Sequence, residues 1–120
     1  MYSVRGATTV EIDSKFEIHE AAKELILKII DSNKFSMDNI ISIIFTCTKD
    51  LNSAYPAEAA RALGIRYAGL LCLQEMYVEN SLERCIRLMI QVNEEKPQNE
   101  VKHVYLRNAV NLRRDLLQEF

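Results

Sequence analysis

Four polar residues interrupt segments of this sequence that are otherwise apolar, and their types suit the binding of an anion. They are Arg5 in VRGATT, Glu75 in LCLQEM, Arg87 in CIRLMI and Tyr105 in HVYL. Arg87 is the hardest to explain as an ordinary strand residue, because an unpaired cation is expensive to bury among apolar side chains. A planar guanidinium pairs with a carboxylate through two parallel hydrogen bonds. The arginines therefore indicate a carboxylate ligand.

Each of these residues also has an ordinary structural explanation when it is taken singly. Arg5 and Arg87 would then be strand cations that extend into solvent. Glu75 would simply end a strand, and Tyr105 would bury its ring with the hydroxyl at the rim of the core. Both interpretations remain open at this level of argument.

The sequence lacks the usual motifs of covalent, acid–base and metal catalysis. It contains no Gly-rich phosphate loop, no GxSxG and no HExxH. Neither His19 nor His103 has an evident Ser or Cys partner in sequence. A catalytic site in this chain would therefore bind an anion and stabilise developing charge, with no cofactor and no metal, rather than supply a nucleophile.

Composition bounds the class of protein. The chain has 120 residues, of which 48% are hydrophobic and 27% charged, as expected for a single globular domain over residues 1–120. The net charge of -2 gives no broad basic field, which argues against a nucleic-acid partner. No apolar run is long enough to span a membrane, and no signal peptide is recognisable. Three cysteines without CxxC spacing indicate reduced thiols in a cytoplasmic protein.

Hydrophobic periodicity predicts the elements that position these residues. Ser14 and Glu17 form a candidate capping box, and Ile18, Ala22, Leu25 and Ile29 then recur on one helical face, with Asn33 as a stop signal. A second, short helix follows Pro56 over 57–63 and ends at Gly64. Strands are predicted at 4–10, 40–48, 66–78, 82–92 and 101–106. In the fourth strand, Ile86, Leu88, Ile90 and Val92 share one face, and Cys85, Arg87, Met89 and Gln91 share the other.

These elements predict an α+β fold. A mixed sheet of about five strands carries the long helix and the short helix on one face. The last segment has weaker signals, and we expect a partly mobile tail from about residue 113.

The order of motifs along the chain resembles one enzyme family. VRGATTVE, CLQEMYVENSLERCIRLMI and PQNEVKHVYLRNAVNLRRDL together are similar to the trimeric, bacillus-type monofunctional chorismate mutases of the mixed α/β class. The resemblance runs from Arg5 to about Leu116. RGATT, CxQEM, CIR and HVYL in this order, at family-like separations, form a specific pattern, whereas any one of them alone is weak.

The resemblance implies the conversion of chorismate to prephenate by an intramolecular Claisen rearrangement. This step leads toward phenylalanine and tyrosine and needs no cofactor, metal, nucleophile or proton transfer. It also implies a homotrimer that assembles as a pseudo α/β barrel, with active sites between subunits. Catalysis would then come from holding a compact conformer and from stabilising charge on the ether oxygen.

The resemblance also assigns roles to residues of one subunit. Arg87 would bond the ether oxygen and a substrate carboxylate, and Glu75 would receive the ring hydroxyl. Arg5, assisted by Tyr105, would bind the side-chain carboxylate. Cys72 would lie nearby, on a strand whose Leu71, Leu73 and Gln74 complete the substrate-binding set.

The remaining implied contacts come from the adjacent subunit and from the end of the chain. The neighbour would contribute Tyr55, Ala57, Arg61 and the strand around Leu70 to Cys72. Leu112 and Arg113 would cover the site, with Arg61 and Arg113 available to attract the second carboxylate. Glu58 departs from the family pattern, since it stands where a lysine is usual and places a negative charge near an anionic ligand. Leu71 also departs from the pattern, because it replaces a hydroxyl-bearing residue.

Three other functions are weaker candidates on the same residues. An imine/enamine deaminase-like trimer would share the architecture, but RGATT, CxQEM and HVYL are not part of its pattern. A non-catalytic module that binds a dicarboxylate or aromatic metabolite would have no reason to combine Arg87 with Glu75, which are expected at opposite ends of one substrate. A purely structural domain fits the composition but not the interrupted strands.

Arg5 is thus expected in the site, with Gly6 and Ala7 keeping its strand slim so that a neighbouring subunit can approach.

Overall fold

The computed structural model of the chain describes residues 1–113. Its elements are β1 (Tyr2–Thr9), α1 (Lys15–Asn33), β2 (Ile40–Cys47), α2 (Ala57–Ala62), β3 (Gly69–Gln74), β4 (Cys85–Val92) and β5 (Val104–Tyr105), with short 3₁₀ segments at Met37–Asn39, Gln98–Glu100 and Arg107–Arg113. No helix of this described part is both long and apolar enough to cross a membrane. The tail expected beyond residue 113 lies outside the described residues.

The strands form one mixed sheet in the order β3-β2-β4-β1-β5. The central strand β4 is antiparallel to both of its neighbours, β1 and β2. The two edge strands are parallel to the strands beside them, β3 to β2 and β5 to β1. Side chains of α1 and α2 share one core cluster with the same face of the sheet. The predicted α+β class, with a five-stranded mixed sheet and helices on one face, is confirmed.

Helix α1 forms because its apolar residues recur at helical spacing and because its N-terminus is capped. Ile18, Leu25 and Ile29 are fully buried against the sheet, as the periodicity predicts. The Ser14 hydroxyl caps the helix by accepting the backbone N–H of Glu17 at 3.1 Å. The Ser14 N–H, which a complete capping box would use, donates instead to the carbonyl of Ile12 at 2.9 Å.

Asn33 ends α1 and ties it to the approach to β5. The next residue, Lys34, has a left-handed backbone with φ of 56°, and its N–H donates to the carbonyl of Ile30 at 2.8 Å. The Asn33 amide nitrogen donates to the Lys102 carbonyl, and its oxygen accepts the Lys102 N–H, both at 2.9 Å. Asn33, which the sequence predicts as the end of the helix, therefore also joins α1 to the segment before β5.

The two faces of β4 separate apolar from polar residues as the alternation predicts. Ile86, Leu88, Ile90 and Val92 are buried on the helix side, whereas Arg87 is half-buried and Met89 and Gln91 are exposed on the other. Cys85 is the exception, because the 3₁₀ segment Arg107–Arg113 covers this end of the strand and Cys85 packs against Ala7 and Ala109.

Three predicted strands are too long, most clearly the third. β3 spans Gly69–Gln74 instead of 66–78, β4 begins at Cys85 instead of residue 82, and β5 is limited to Val104–Tyr105. Among the described residues β3 is an edge strand that pairs with β2, and β2 ends at Cys47. Glu75 makes one last backbone bond, from its N–H to the Cys47 carbonyl at 2.9 Å, and the chain then leaves the sheet.

The expectation for Gly6 is wrong, because this residue faces the helices and not a neighbouring subunit. It alternates with Val4 and Thr8 on the helix side of β1, opposite Val104 of β5. A Cβ placed on Gly6 would lie 2.7 Å from Ile29 Cδ1 and 3.1 Å from both Leu25 Cδ1 and the Val104 carbonyl oxygen. The absence of a side chain at Gly6 therefore allows α1 and β5 to pack closely against β1.

This close approach predicts that Gly6→Ala destabilises the fold. Because the added methyl group meets packed side chains of α1 and a strand carbonyl, the expected loss is about 1–3 kcal/mol in the free energy of unfolding. Gly69→Ala is the matched control, since no atom lies within 4 Å of the position that its added methyl group would take. Chemical denaturation of both variants at one protein concentration measures the difference. Equal midpoints for the two would contradict this packing account.

Candidate active site

Arg87 and Arg5 extend from the face of the sheet opposite the helices, which we call the open face. On β4, Arg87 lies opposite Thr46 of β2 on one side and Ala7 of β1 on the other. Arg5 of β1 lies opposite Met89, one row along. Arg5 and Arg87 are therefore diagonal cross-strand neighbours, about 7–8 Å apart, so the register alone brings both arginines to the same small area.

A shallow cavity of about 220 Å³ lies on the open face and collects three of the predicted residues. Arg5 and Arg87 line it from β1 and β4, and Glu75 lines it from the segment just after β3. Its remaining lining residues are Ile44, Thr46, Leu88 and Met89. Two cations and one carboxylate thus meet above a floor that is apolar apart from Thr46.

Arg87 is paired with Glu75, and this ion pair offsets the free-energy cost of placing a cation on the central strand. Its Nη1 lies 3.5 Å from Oε2 of Glu75. The other oxygen, Oε1, accepts the hydroxyl of Thr46 at 2.5 Å. The Arg87 side chain is 43% exposed and that of Glu75 is 23% exposed. The carboxylate is therefore held by its own chain, while much of the guanidinium remains available on the open face.

Arg5 is positioned by its backbone as well as by its register. Its N–H donates to Nδ1 of His103 at 2.9 Å, which joins β1 to the residue preceding β5. This hydrogen bond gives His103 a structural role at the edge of the sheet. The Arg5 side chain is half-buried and reaches the cavity from the side opposite Glu75.

Tyr105 lies on the open face but does not line this cavity. In the parallel pairing of β1 and β5 it stands opposite Ala7, which in turn stands opposite Arg87. Two strand spacings separate it from Arg87, about 10 Å. Its ring is half-buried and packs with Ala7, Cys85 and Leu112.

A second, larger cavity of about 510 Å³ lies at the ends of β2 and β3. Four predicted residues line it: Tyr55, Cys72, Leu73 and Gln74. Charged residues also border it, namely Lys15, Lys49 and Glu58. Leu71 lies outside this cavity and is 54% exposed on the open face, next to Ile44 of β2.

The remaining predicted residues are dispersed in the single chain. Ala57 is buried in the main core cluster, and Arg61 is exposed beside a third cavity with Arg66 and Leu70. Leu112 is half-buried against the cluster of Ala7, Cys85 and Ala109. The side chain of Arg113 lies outside the described residues.

Thr46 is the residue that sequence reasoning missed. It anchors Glu75 and lines the same cavity. Its signal was present in IISIIFTC, where Ser42, Ile44 and Thr46 alternate with the buried Ile43 and Phe45. The alternation is hard to recognise in the sequence, because the residues on the less buried side are themselves β-branched or small. The segment therefore has the composition of a fully buried strand.

Two of the three thiols are poor nucleophiles. Burial raises the pKa of the Cys47 thiol to about 12 and that of the Cys85 thiol to about 11, the second despite the nearby positive charge of Arg87. Both therefore stay protonated at neutral pH. Within residues 1–113, no three His, Cys, Asp or Glu side chains are grouped so that they could hold a metal ion.

Comparison with known proteins gives a consistent result. The sequence profile of the family described as chorismate mutase type I matches residues 1–116. A protein named chorismate mutase AroH from Thermus thermophilus is 48% identical over 114 residues, which cover 94% of this chain and 93% of that protein. Its namesake from Bacillus subtilis is 42% identical over 114 residues, covering 94% of this chain and 90% of that protein.

The fold has a solved counterpart at similar identity. A chorismate mutase from Clostridium thermocellum superposes with a TM-score of 0.90 at 44% identity, covering 92% of this chain and 99% of that one. The resemblance inferred from RGATT, CxQEM, CIR and HVYL is therefore confirmed.

Proposed function

The chain belongs to the type I chorismate mutase family, and from that membership we propose that it rearranges chorismate to prephenate at the cavity of Arg5, Glu75 and Arg87. This reaction breaks the ether C–O bond of chorismate and forms a C–C bond within the same molecule. It is the branch step toward phenylalanine and tyrosine, which we place in the cytoplasm. No proton is transferred, so the protein acts by holding a compact conformer and by stabilising charge that builds on the ether oxygen.

The pairing of Arg87 with an anchored carboxylate is the observation that carries the proposal. With Glu75 held by Thr46, the guanidinium has a fixed partner on one side and exposed N–H groups on the other. We assign those groups to the ether oxygen and to a substrate carboxylate. Because negative charge on that oxygen is larger in the transition state than in chorismate, Arg87 stabilises the transition state preferentially.

Glu75 and Arg5 bind opposite ends of the substrate in this proposal. The lone pairs of the Glu75 carboxylate that remain free accept a hydrogen bond from the ring hydroxyl of chorismate. Arg5 pairs with the side-chain carboxylate of chorismate. Tyr105, in the same row of the open face as Arg87, assists Arg5 from β5. The substrate is thereby held by charges at both ends while its reacting bonds lie over the apolar floor.

We further propose that a homotrimer completes each site between adjacent subunits. The open face exposes Ile44, Leu71, Leu73 and Met89, with the two leucines 54% and 49% exposed. An apolar sheet face beside an unpaired edge strand is typical of an interface. A neighbour would also bring a second wall to the Arg87 cavity, for which we propose its Tyr55, Ala57 and Arg61. Leu112 and Arg113 are assigned to covering the site.

The other functions considered have less support. The three relatives described above are all named chorismate mutases, and none is a deaminase or a non-catalytic binding module. The carboxylate beside Arg87 adds a specific objection, because a module that only captured anions would gain nothing from placing Glu75 in its site.

The reaction is tested by incubating the purified protein with chorismate. Loss of the ultraviolet absorbance of chorismate should coincide with the appearance of prephenate, at a rate far above that of the uncatalysed reaction. Adding a metal chelator should leave the rate unchanged. A rate equal to the uncatalysed one would contradict the proposed activity.

Replacing Arg87 by Lys should collapse turnover while the fold is retained. Lysine keeps the positive charge but loses the planar fork that binds Glu75 and the substrate together. We expect kcat to fall by about 10²–10³-fold, as for the loss of one oxyanion donor. Circular dichroism and the denaturation midpoint serve as controls for folding. A kcat near that of the wild type would remove the electrostatic role from Arg87.

Replacing Arg5 by Ala should weaken substrate capture more than it slows the chemical step. Loss of a charged hydrogen-bonding pair is expected to raise KM by about 10- to 100-fold. Lys28→Ala removes the same charge from the exposed side of α1 and is the matched control. An unchanged KM for Arg5→Ala would exclude Arg5 from the substrate site.

A further inference from the structure

Glu58 presents a carboxylate to the larger cavity, where a dianionic substrate would be repelled. It lies on α2, one turn after Tyr55, and lines the 510 Å³ cavity together with Tyr55 and Gln74. Its side chain is partly exposed. Chorismate carries two carboxylates, so a free carboxylate at this position would work against binding.

The Glu58 carboxylate is not free, because α1 provides a partner for it. Oε1 of Glu58 lies 3.4 Å from Nε2 of His19. That imidazole nitrogen is buried, and among the described residues it has no hydrogen-bond acceptor in good geometry. The carboxylate of Glu58 is thus the charged group that faces it.

The charge on Glu58 persists, so it must be compensated rather than removed by protonation. Partial desolvation opposes the charged form, but the His19 side chain and the Tyr55 backbone stabilise the carboxylate and lower its pKa below the usual range. The positive charge of Lys15, on the first turn of α1, acts in the same direction. Lys15 also lines the cavity, which places its positive charge near the same opening.

We propose that His19 is a positioning residue, which holds the Glu58 carboxylate against α1 and so limits its repulsion of the dianionic substrate that the proposed trimer places between the Arg87 cavity of one subunit and the α2 region of its neighbour. Lys15 supports this arrangement by offsetting the same charge. The inference rests on the proposed function, because it takes chorismate as the dianion. It assigns to α1, which lies on the other side of the sheet from Arg87, a role in substrate affinity.

Steady-state kinetics of a double-mutant cycle test this inference. His19→Ala should raise KM for chorismate by about three- to tenfold with little change in kcat, and added salt should reduce the effect, since the repulsion is between partly exposed charges. In the Glu58→Gln background the same substitution should leave KM unchanged, because no carboxylate remains to be held. Equal effects of His19→Ala in both backgrounds, or no effect in either, would overturn the inference.

Two further variants separate position from general loss of structure. His19→Lys places a permanent cation within reach of Glu58 and should bring KM back toward the wild-type value. Lys23→Ala breaks the Lys23–Glu20 pair, 2.8 Å long on the same helix, and should not change KM. A failure of His19→Lys to lower KM relative to His19→Ala would contradict the proposed role.

The proposed function can fail separately from this inference. A wild-type protein without turnover would contradict the proposed function. The cycle would then be measured by thermal unfolding, where His19→Ala should lower the melting temperature less in the Glu58→Gln background. An equal decrease in melting temperature on His19→Ala in both backgrounds would show that His19 and Glu58 do not interact.

Discussion

A cation on the central strand of the sheet is the constraint on which the rest of the structure depends. Arg87 lies on β4, which is flanked on both sides by other strands, so its side chain can only extend above or below the sheet. One face is occupied by α1 and α2, whose apolar side chains could not accept a guanidinium. The opposite face must therefore remain uncovered by the chain's own helices. Thr46 and Glu75 then supply the partner that makes this position tolerable.

This arrangement connects catalysis to assembly. The face that must remain open for Arg87 also exposes Ile44, Leu71 and Met89. Apolar exposure of this kind favours association, and association with a second copy would also exclude water from the ion pair. In our proposal the same contact therefore buries the apolar rows and encloses the substrate. In our proposal His19 and Glu58 extend this logic to the helix side, where α1 holds the carboxylate that borders the larger cavity.

Local features of the fold could be predicted from the sequence, and features that depend on distant packing could not. The stripe of α1 and the alternation of β4 are periodic within one segment, so both were predictable. Arg87 in an apolar strand indicated an anionic partner, but its pairing with Glu75 of the same chain was not predicted, because the two were expected at opposite ends of one substrate. Gly6 was misinterpreted because its neighbour is Ile29, which the sequence places 23 positions away with no local signal. The end of β3 before Glu75 likewise depends on where its partner strand stops. The roles of Tyr105, Arg61 and Leu112 depend on a second subunit and stay predictions.

Subunit complementation tests the central claim, that each site combines the Arg87 cavity of one chain with the α2 region of its neighbour. Arg87→Ala protomers would be refolded together with protomers carrying Tyr55→Ala and Arg61→Ala, and prephenate formation would be compared with that of each parent alone. In a closed ring, each site takes one half from each of two adjacent chains, so about a quarter of the sites in a random mixture would pair two intact halves. We predict that activity rises toward that fraction of the wild type. A mixture no more active than the average of its parents would contradict the claim.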